Sequence, residues 1–184
     1  MAKKPPKMLG YADSPHILRL MRLIETQSKR TIIHWCVDYA EAEFLPIFEE
    51  AMPGDARPRT ALEAARSWLR GENKLQDVRD LAWESHLAAK DAKGQAAEAA
   101  ARAIANAALS VHVATHSLGI AAYGAAAIAY ARFGMAESET FYEAFAAEEC
   151  AKMESALRAV AVEGEPNPAP CKWKHANGMR KRGE

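Results

Sequence analysis

The sequence predicts an all-α fold, a compact bundle of about six or seven helices, on three observations. The chain holds 40 alanines against 14 valines plus isoleucines. Alanine is the best helix former, whereas sheets favour β-branched residues. Apolar residues recur at helical spacing through most of the chain, and prolines, glycines and short polar caps punctuate them. Its 184 residues, 49% apolar and 26% charged, suit one domain that buries roughly 70% of its unfolded surface without staples. We therefore expect a single helical domain over residues 13–165. A mobile basic lead-in at 1–12 and a mobile basic tail at 166–184 flank it.

The elements follow in order. Asp13-Ser14-Pro15 is a helix start: a polar cap, then a proline whose missing N–H costs nothing in the first turn. Ile17, Leu20, Met21 and Ile24 continue it. Ile32, Trp35, Cys36, Tyr39, Ala40 and Phe44 make the next stripe, and Pro46 should kink or break it. Pro53-Gly54-Asp55 is a turn, and Arg57-Pro58 opens a helix with Ala61, Leu62, Ala65, Trp68 and Leu69 inside and Gly71 at its end. Asn73 with Gln76 reads as a capping box ahead of Leu75, Val78, Ala82, His86 and Ala89. Almost every residue from 95 to 133 favours helix. One helix of that length would run about 58 Å, while a compact chain of this size is roughly 40 Å across. The run must break, and Thr115 to Gly119 is the expected place. Ser138 caps a last helix with Tyr142, Phe145, Cys150, Met153, Leu157 and Val160 inside. Alanine-rich faces let helix axes approach to about 8 Å, with Trp35, Trp68 and Trp83 filling between them.

Lysine plus arginine equals aspartate plus glutamate at 24 each, so no protein-wide field favours nucleic acid. Cys36, Cys150 and Cys171 form no disulfide framework or CxxC pair. The N-terminal residues lack the apolar core of a signal peptide, and no apolar run is long enough to span a membrane. These features predict a cytoplasmic protein with reduced thiols and no membrane partner.

His112 and His116 are the sharpest local pattern. On one helix, i and i+4 histidines share a face, as divalent metal ligands do. His86, Asp38 or Glu41 could supply a third ligand. Val113 stands where a zinc protease needs glutamate, which excludes that chemistry. The competing reading is a pair of structural histidines. Asp38 and Glu41, one turn apart, suit acid–base work or a salt bridge. Arg57 and Arg59 sit at a helix N-terminus, where an anion could dock. The favoured reading is an internal salt bridge from Arg59 or Arg66 to Asp38, Glu41 or Glu63. The tail combines Trp173 and His175 with Arg180-Lys181-Arg182, a weak acidic-partner or nucleic-acid pattern. There is no GxGxxG, P-loop, GxSxG or repeated ExxH.

One resemblance emerges from these residues. Trp35, Asp38, Ala40 and Glu41 are followed by Leu45-Pro46-Ile47-Phe48-Glu49, Pro53-Gly54-Asp55 and Arg57-Pro58-Arg59. Glu63, Arg66, Trp68 and Gly71-Glu72 come next. The series continues through Arg79 and His86 to His112, Ala114, His116, Leu118-Gly119 and Ala121-Ala122-Tyr123. Over residues 30–132 this order resembles the immunity proteins of bacterial polymorphic toxin systems, the immunity-protein-five-like group. Tyr39 departs from it, standing where a cysteine is common. The resemblance implies an all-helical, non-catalytic protein that neutralises a cognate toxin by binding it.

Three readings follow. The first is toxin binding through an exposed acidic patch around Glu137, Glu139, Glu143, Glu148 and Glu149. The second is a small-ligand or metal-binding protein, which keeps an enzyme in view, with a mixed pocket of Asp38, Glu41, Arg57, Arg59, Glu63, Arg66 and His86. The third is a buried polar network with a structural role. Where these residues fall in space separates them.

Overall fold

The computed structural model describes residues 6–173 and 178–182. Among them are eight α-helices, one 3-10 turn and no strand. They are α1 (Pro15–Ile24), α2 (Lys29–Glu43), α3 (Leu45–Ala51), α4 (Arg57–Leu69), α5 (Leu75–Asp91), α6 (Gln95–Leu109), the 3-10 turn (Ala114–Ser117), α7 (Leu118–Phe133) and α8 (Glu139–Val160). Pro46 breaks the helix rather than bending it, which makes α3 a separate element.

α6 is the hub. It packs on α2, α3, α4, α5 and α7. From residue 99 to 108 every side chain except Arg102 is buried, and most are alanine. α7 is buried almost all round as well, and its backbone approaches its neighbours closely at two glycines. α8 closes the other side, against α1, α2 and α7. There the buried Trp35 indole donates to the Met153 carbonyl at 3.1 Å.

The long helical run breaks earlier than expected. α6 stops at Leu109, residues 110–113 turn, and the 3-10 turn leads into α7. Ser110 drives part of this, because its hydroxyl donates to the Ala107 carbonyl at 2.6 Å and competes with the helical ladder. The cap of α5 also differs. Lys74 is the N-cap, and Asp77, not Gln76, accepts its backbone N–H at 2.9 Å. Ser138 caps α8 by accepting from the Phe141 N–H at 3.1 Å, while Val160 at the far end is exposed.

Both flanking segments, expected to be loose, lie on the body where they are described. The Leu9 N–H donates to the Ala122 carbonyl, and Ala12 donates to that of Arg180 at 2.8 Å. Ala169 donates to Gln27, Leu9 and Met179 are buried, and the Trp173 indole donates to Glu25. A few well-placed apolar residues and unpaired backbone groups suffice to dock a segment that composition alone marks as free. His175 lies outside the described residues. Trp68 is half-buried under the Lys29 ammonium, and Trp83 is 59% exposed, so neither fills the core as expected. Trp68 still packs against the edge of the core, and Trp35 alone of the three lies within it.

Candidate functional site

The sequence-selected residues separate into three groups. Arg66 on α4 forks across to α2, reaching the Asp38 carboxylate at 2.7 Å and that of Glu41 at 2.5 Å. Arg57 pairs with Asp55 at 2.6 Å and with Asp91 at 2.9 Å, tying the start of α4 to the end of α5. Arg59 makes a two-toothed pair with Glu49 on α3 at 2.8 and 2.9 Å. Each guanidinium at this helix start thus faces carboxylates of its own chain. Glu63 is exposed and joins none of these groups. The mixed pocket expected from Asp38, Glu41, Arg57, Arg59, Glu63, Arg66 and His86 does not assemble. Ion-paired helix junctions stand in its place.

The histidines form the third group. His86 on α5, His112 in the turn after α6 and His116 in the 3-10 turn line one cleft of about 350 Å³. Arg79, Asp80 and Trp83 line it too. His112 and His116 do not share a helix face, because the chain leaves the α-conformation between them. The spacing argument for a metal pair therefore falls. Among the described residues no three histidine, cysteine, aspartate or glutamate side chains come close enough together to hold a metal ion. His116 Nδ1 meets the Asn106 Oδ1 at 3.3 Å, which orients the ring and favours a proton on Nδ1. Burial pushes the His86 pKa down to about 4, helped by the Arg102, His116 and Lys90 charges. Burial also lowers that of His116, with His112 adding to it. Burial thus disfavours the protonated form of both His86 and His116, and Arg102 and Lys90 add to it at His86.

Sequence reasoning named His86 but missed the face around it. Arg79, Trp83 and His86 are spaced i, i+4 and i+7, a mixed stripe on one side of α5 that the apolar reading of that helix passed over. The Trp83 ring meets His86 edge-on at a centroid distance of 6.1 Å, with the Lys90 ammonium over it.

A second cavity, of about 390 Å³, was not legible at all. The lead-in, the α7–α8 turn and the tail enclose it, with Met8, Leu9, Met135, Tyr142 and Glu143 in its lining. The outer face of that turn is acidic and apolar. Phe133 and Met135 are 43% and 47% exposed, Glu137 and Glu139 are exposed in the residues that follow, and Glu148 is exposed further along α8. Two members of the expected acidic patch turn inward: Glu149 is buried beneath Lys152 at 2.5 Å, and Glu143 is half-buried.

All three cysteines are free thiols, with Cys36 and Cys150 buried. No helix among the described residues is long and apolar enough to cross a membrane. Residues 22–156 match a family described as Imm-5 like putative immunity protein. Comparison with curated proteins and with solved structures finds no match.

Proposed function

The chain belongs to the Imm-5-like family, and from that premise we propose that it is an immunity protein that binds a cognate protein toxin and blocks it without catalysis. The observation that carries the choice of surface is the α7–α8 turn. All residues from 131 to 140 are exposed. Exposed aromatic and methionine side chains ringed by charge are the composition of a docking face. Phe133 and Met135 supply the apolar centre, and Glu137, Glu139 and Glu148 supply the rim. The matching partner surface is apolar and basic.

The test is co-expression with any toxin candidate encoded beside the gene, read as growth rescue and as a complex on size exclusion. Wild type rescues, and Met135→Asp weakens the complex at least tenfold with the fold intact. Absence of both rescue and complex overturns the reading.

A second reading rests on the convergence of His86, His112 and His116 with Arg79 on one cleft. It makes that cleft a small-ligand site for an anion held by Arg79, with Asp80 on the same lining. Metal content and thermal stability with and without chelator, compared with His112→Ala/His116→Ala, test its divalent-metal form. Titration with inorganic phosphate tests its anion form.

A further inference from the structure

The C-terminal segment is seated against the face assigned to the toxin. Met179 is buried, and its Cε lies 3.5 Å from where a Cβ on Gly10 would stand. The Arg180 carbonyl accepts the Ala12 N–H at 2.8 Å, and the Arg182 N–H donates to Asp13 Oδ1 at 3.4 Å. The Arg180 and Arg182 guanidiniums lie over the Tyr11 ring, 5.0 and 5.5 Å from its centre. Arg180 also reaches Glu139, the first residue of α8, at 3.8 Å. The Tyr11 hydroxyl donates to the same carboxylate. Arg180, Met135, Glu137 and Glu139 share the lining of one cavity. The segment therefore stands at the edge of the docking face, with one of its rim carboxylates already engaged.

This seat is reversible by construction. The segment lies beyond the last helix, and one buried side chain holds it together with two backbone N–H bonds and exposed cations. Side chains of the Arg180–Glu139 pair are 46% and 64% exposed, so water and salt weaken it. Segments with few buried contacts open locally while the rest stays folded. The composition also fits the face. Met179-Arg180-Lys181-Arg182 is one apolar residue followed by three cations, the chemistry that the face asks of a partner.

We propose that residues 178–182 are a tethered competitor of the toxin: they hold the Glu139 edge of the docking face in the free chain and leave it when the toxin binds. This rests on the toxin-binding reading and adds its regulation. A population sets the effect, since only the open fraction binds. A segment seated about four times in five lowers the apparent affinity about fivefold. The tail thereby raises the concentration at which any partner occupies the face.

The test uses the full chain and the variant Met179→Ser/Arg180→Ser, which deletes the buried side chain and the Glu139 pair. Circular dichroism checks that the helices are intact. Hydrogen exchange at the Ala12 N–H reads the seat, and the Leu9 N–H, bonded to the Ala122 carbonyl, is the reference. We expect Ala12 exchange to quicken roughly tenfold relative to Leu9 in the variant, and in wild type once toxin is added. The variant should bind toxin about fivefold more tightly. Lys181→Ser removes an equal charge from the exposed neighbour and should change affinity by less than about twofold, which separates unseating from loss of charge. A complex that the variant binds no more tightly, or one in which the Ala12 N–H stays protected, overturns the competitor while toxin binding stands. Weaker binding by the variant overturns it as well and makes the tail part of the interface. No complex with either chain overturns the toxin reading, and the competitor with it.

Discussion

Gly124 lies against the ring of Phe44 so closely that a Cβ on the glycine would fall 2.2 Å from Phe44 Cζ. α7 and the α2–α3 junction meet at this point, and Phe44 is fully buried with nowhere to move. Gly119 makes the same kind of approach to Asn106, 2.5 Å from its Cγ. Two glycines therefore set how near α7 comes to its neighbours.

In an exposed helix, glycine to alanine stabilises by about 1 kcal/mol. Here the sign reverses. Gly124→Ala must push the Phe44 ring or the α7 backbone, at a cost of roughly 1–3 kcal/mol. Chemical denaturation measures it, and a gain in stability would show that the junction is looser than described.

The Arg66 fork should matter little to stability. Asp38 and Glu41 are exposed, and exposed pairs contribute at most about 1 kcal/mol. Arg66→Gln is expected to lose no more than that, with the difference shrinking in high salt. A loss above about 2 kcal/mol, unchanged by salt, would reveal a tighter junction.

Stability should fall as pH drops from 7 to 5. Burial holds His16, His86 and His116 below their ordinary pKa, His86 at about 4. In the unfolded chain these rings take up protons near pH 6.5. Between that pH and about 4 the unfolded chain binds more protons, so acid favours unfolding. Glu143 acts in the opposite sense, because its raised folded pKa makes protonation favour the fold. Three rings outweigh one carboxyl. The melting temperature is expected to be several degrees lower at pH 5 than at pH 7, at about 2–4 °C per kcal/mol, and His86→Gln should flatten part of that slope. A melting temperature that rises toward pH 5 contradicts this.

Removing the chain from Pro166 onward should keep the helices and lower the stability. All eight helices end before this point. The truncation does delete the Ala169 bond to Gln27, the Trp173 bond to Glu25 and the buried Met179. Far-ultraviolet circular dichroism should change little per residue, while the denaturation midpoint drops by roughly 2–4 kcal/mol equivalent. A midpoint that does not move would mean the tail contributes nothing by docking.

How far the sequence could be read follows from what kind of force places each residue. Helices are set by near neighbours, so Pro15, Pro46, Ser138 and Gly94 mark boundaries legibly. Asp38, Glu41 and Arg66 share motifs, but only the packing of α2 on α4 brings them together. The His112 and His116 pairing failed for a local reason: Ser110 opens a turn that the alanine-rich run around it conceals. Trp83 was misplaced because size suggests burial, whereas the ring lies 59% exposed at the edge of the histidine cleft. The terminal cavity depends on contacts over 120 residues apart in sequence, such as Gly10 to Glu143, which no periodicity encodes.

The backbone bond from Ala12 to Arg180 places the two flanking segments side by side. A short linker could splice them, and the chain could be opened instead at Gly94, an exposed corner with nothing near a would-be Cβ. In such a circular permutant, the cover of the cavity becomes one continuous loop. That loop could be exchanged as a cassette, and purification handles would hang from Gly94 instead of beside the mouth.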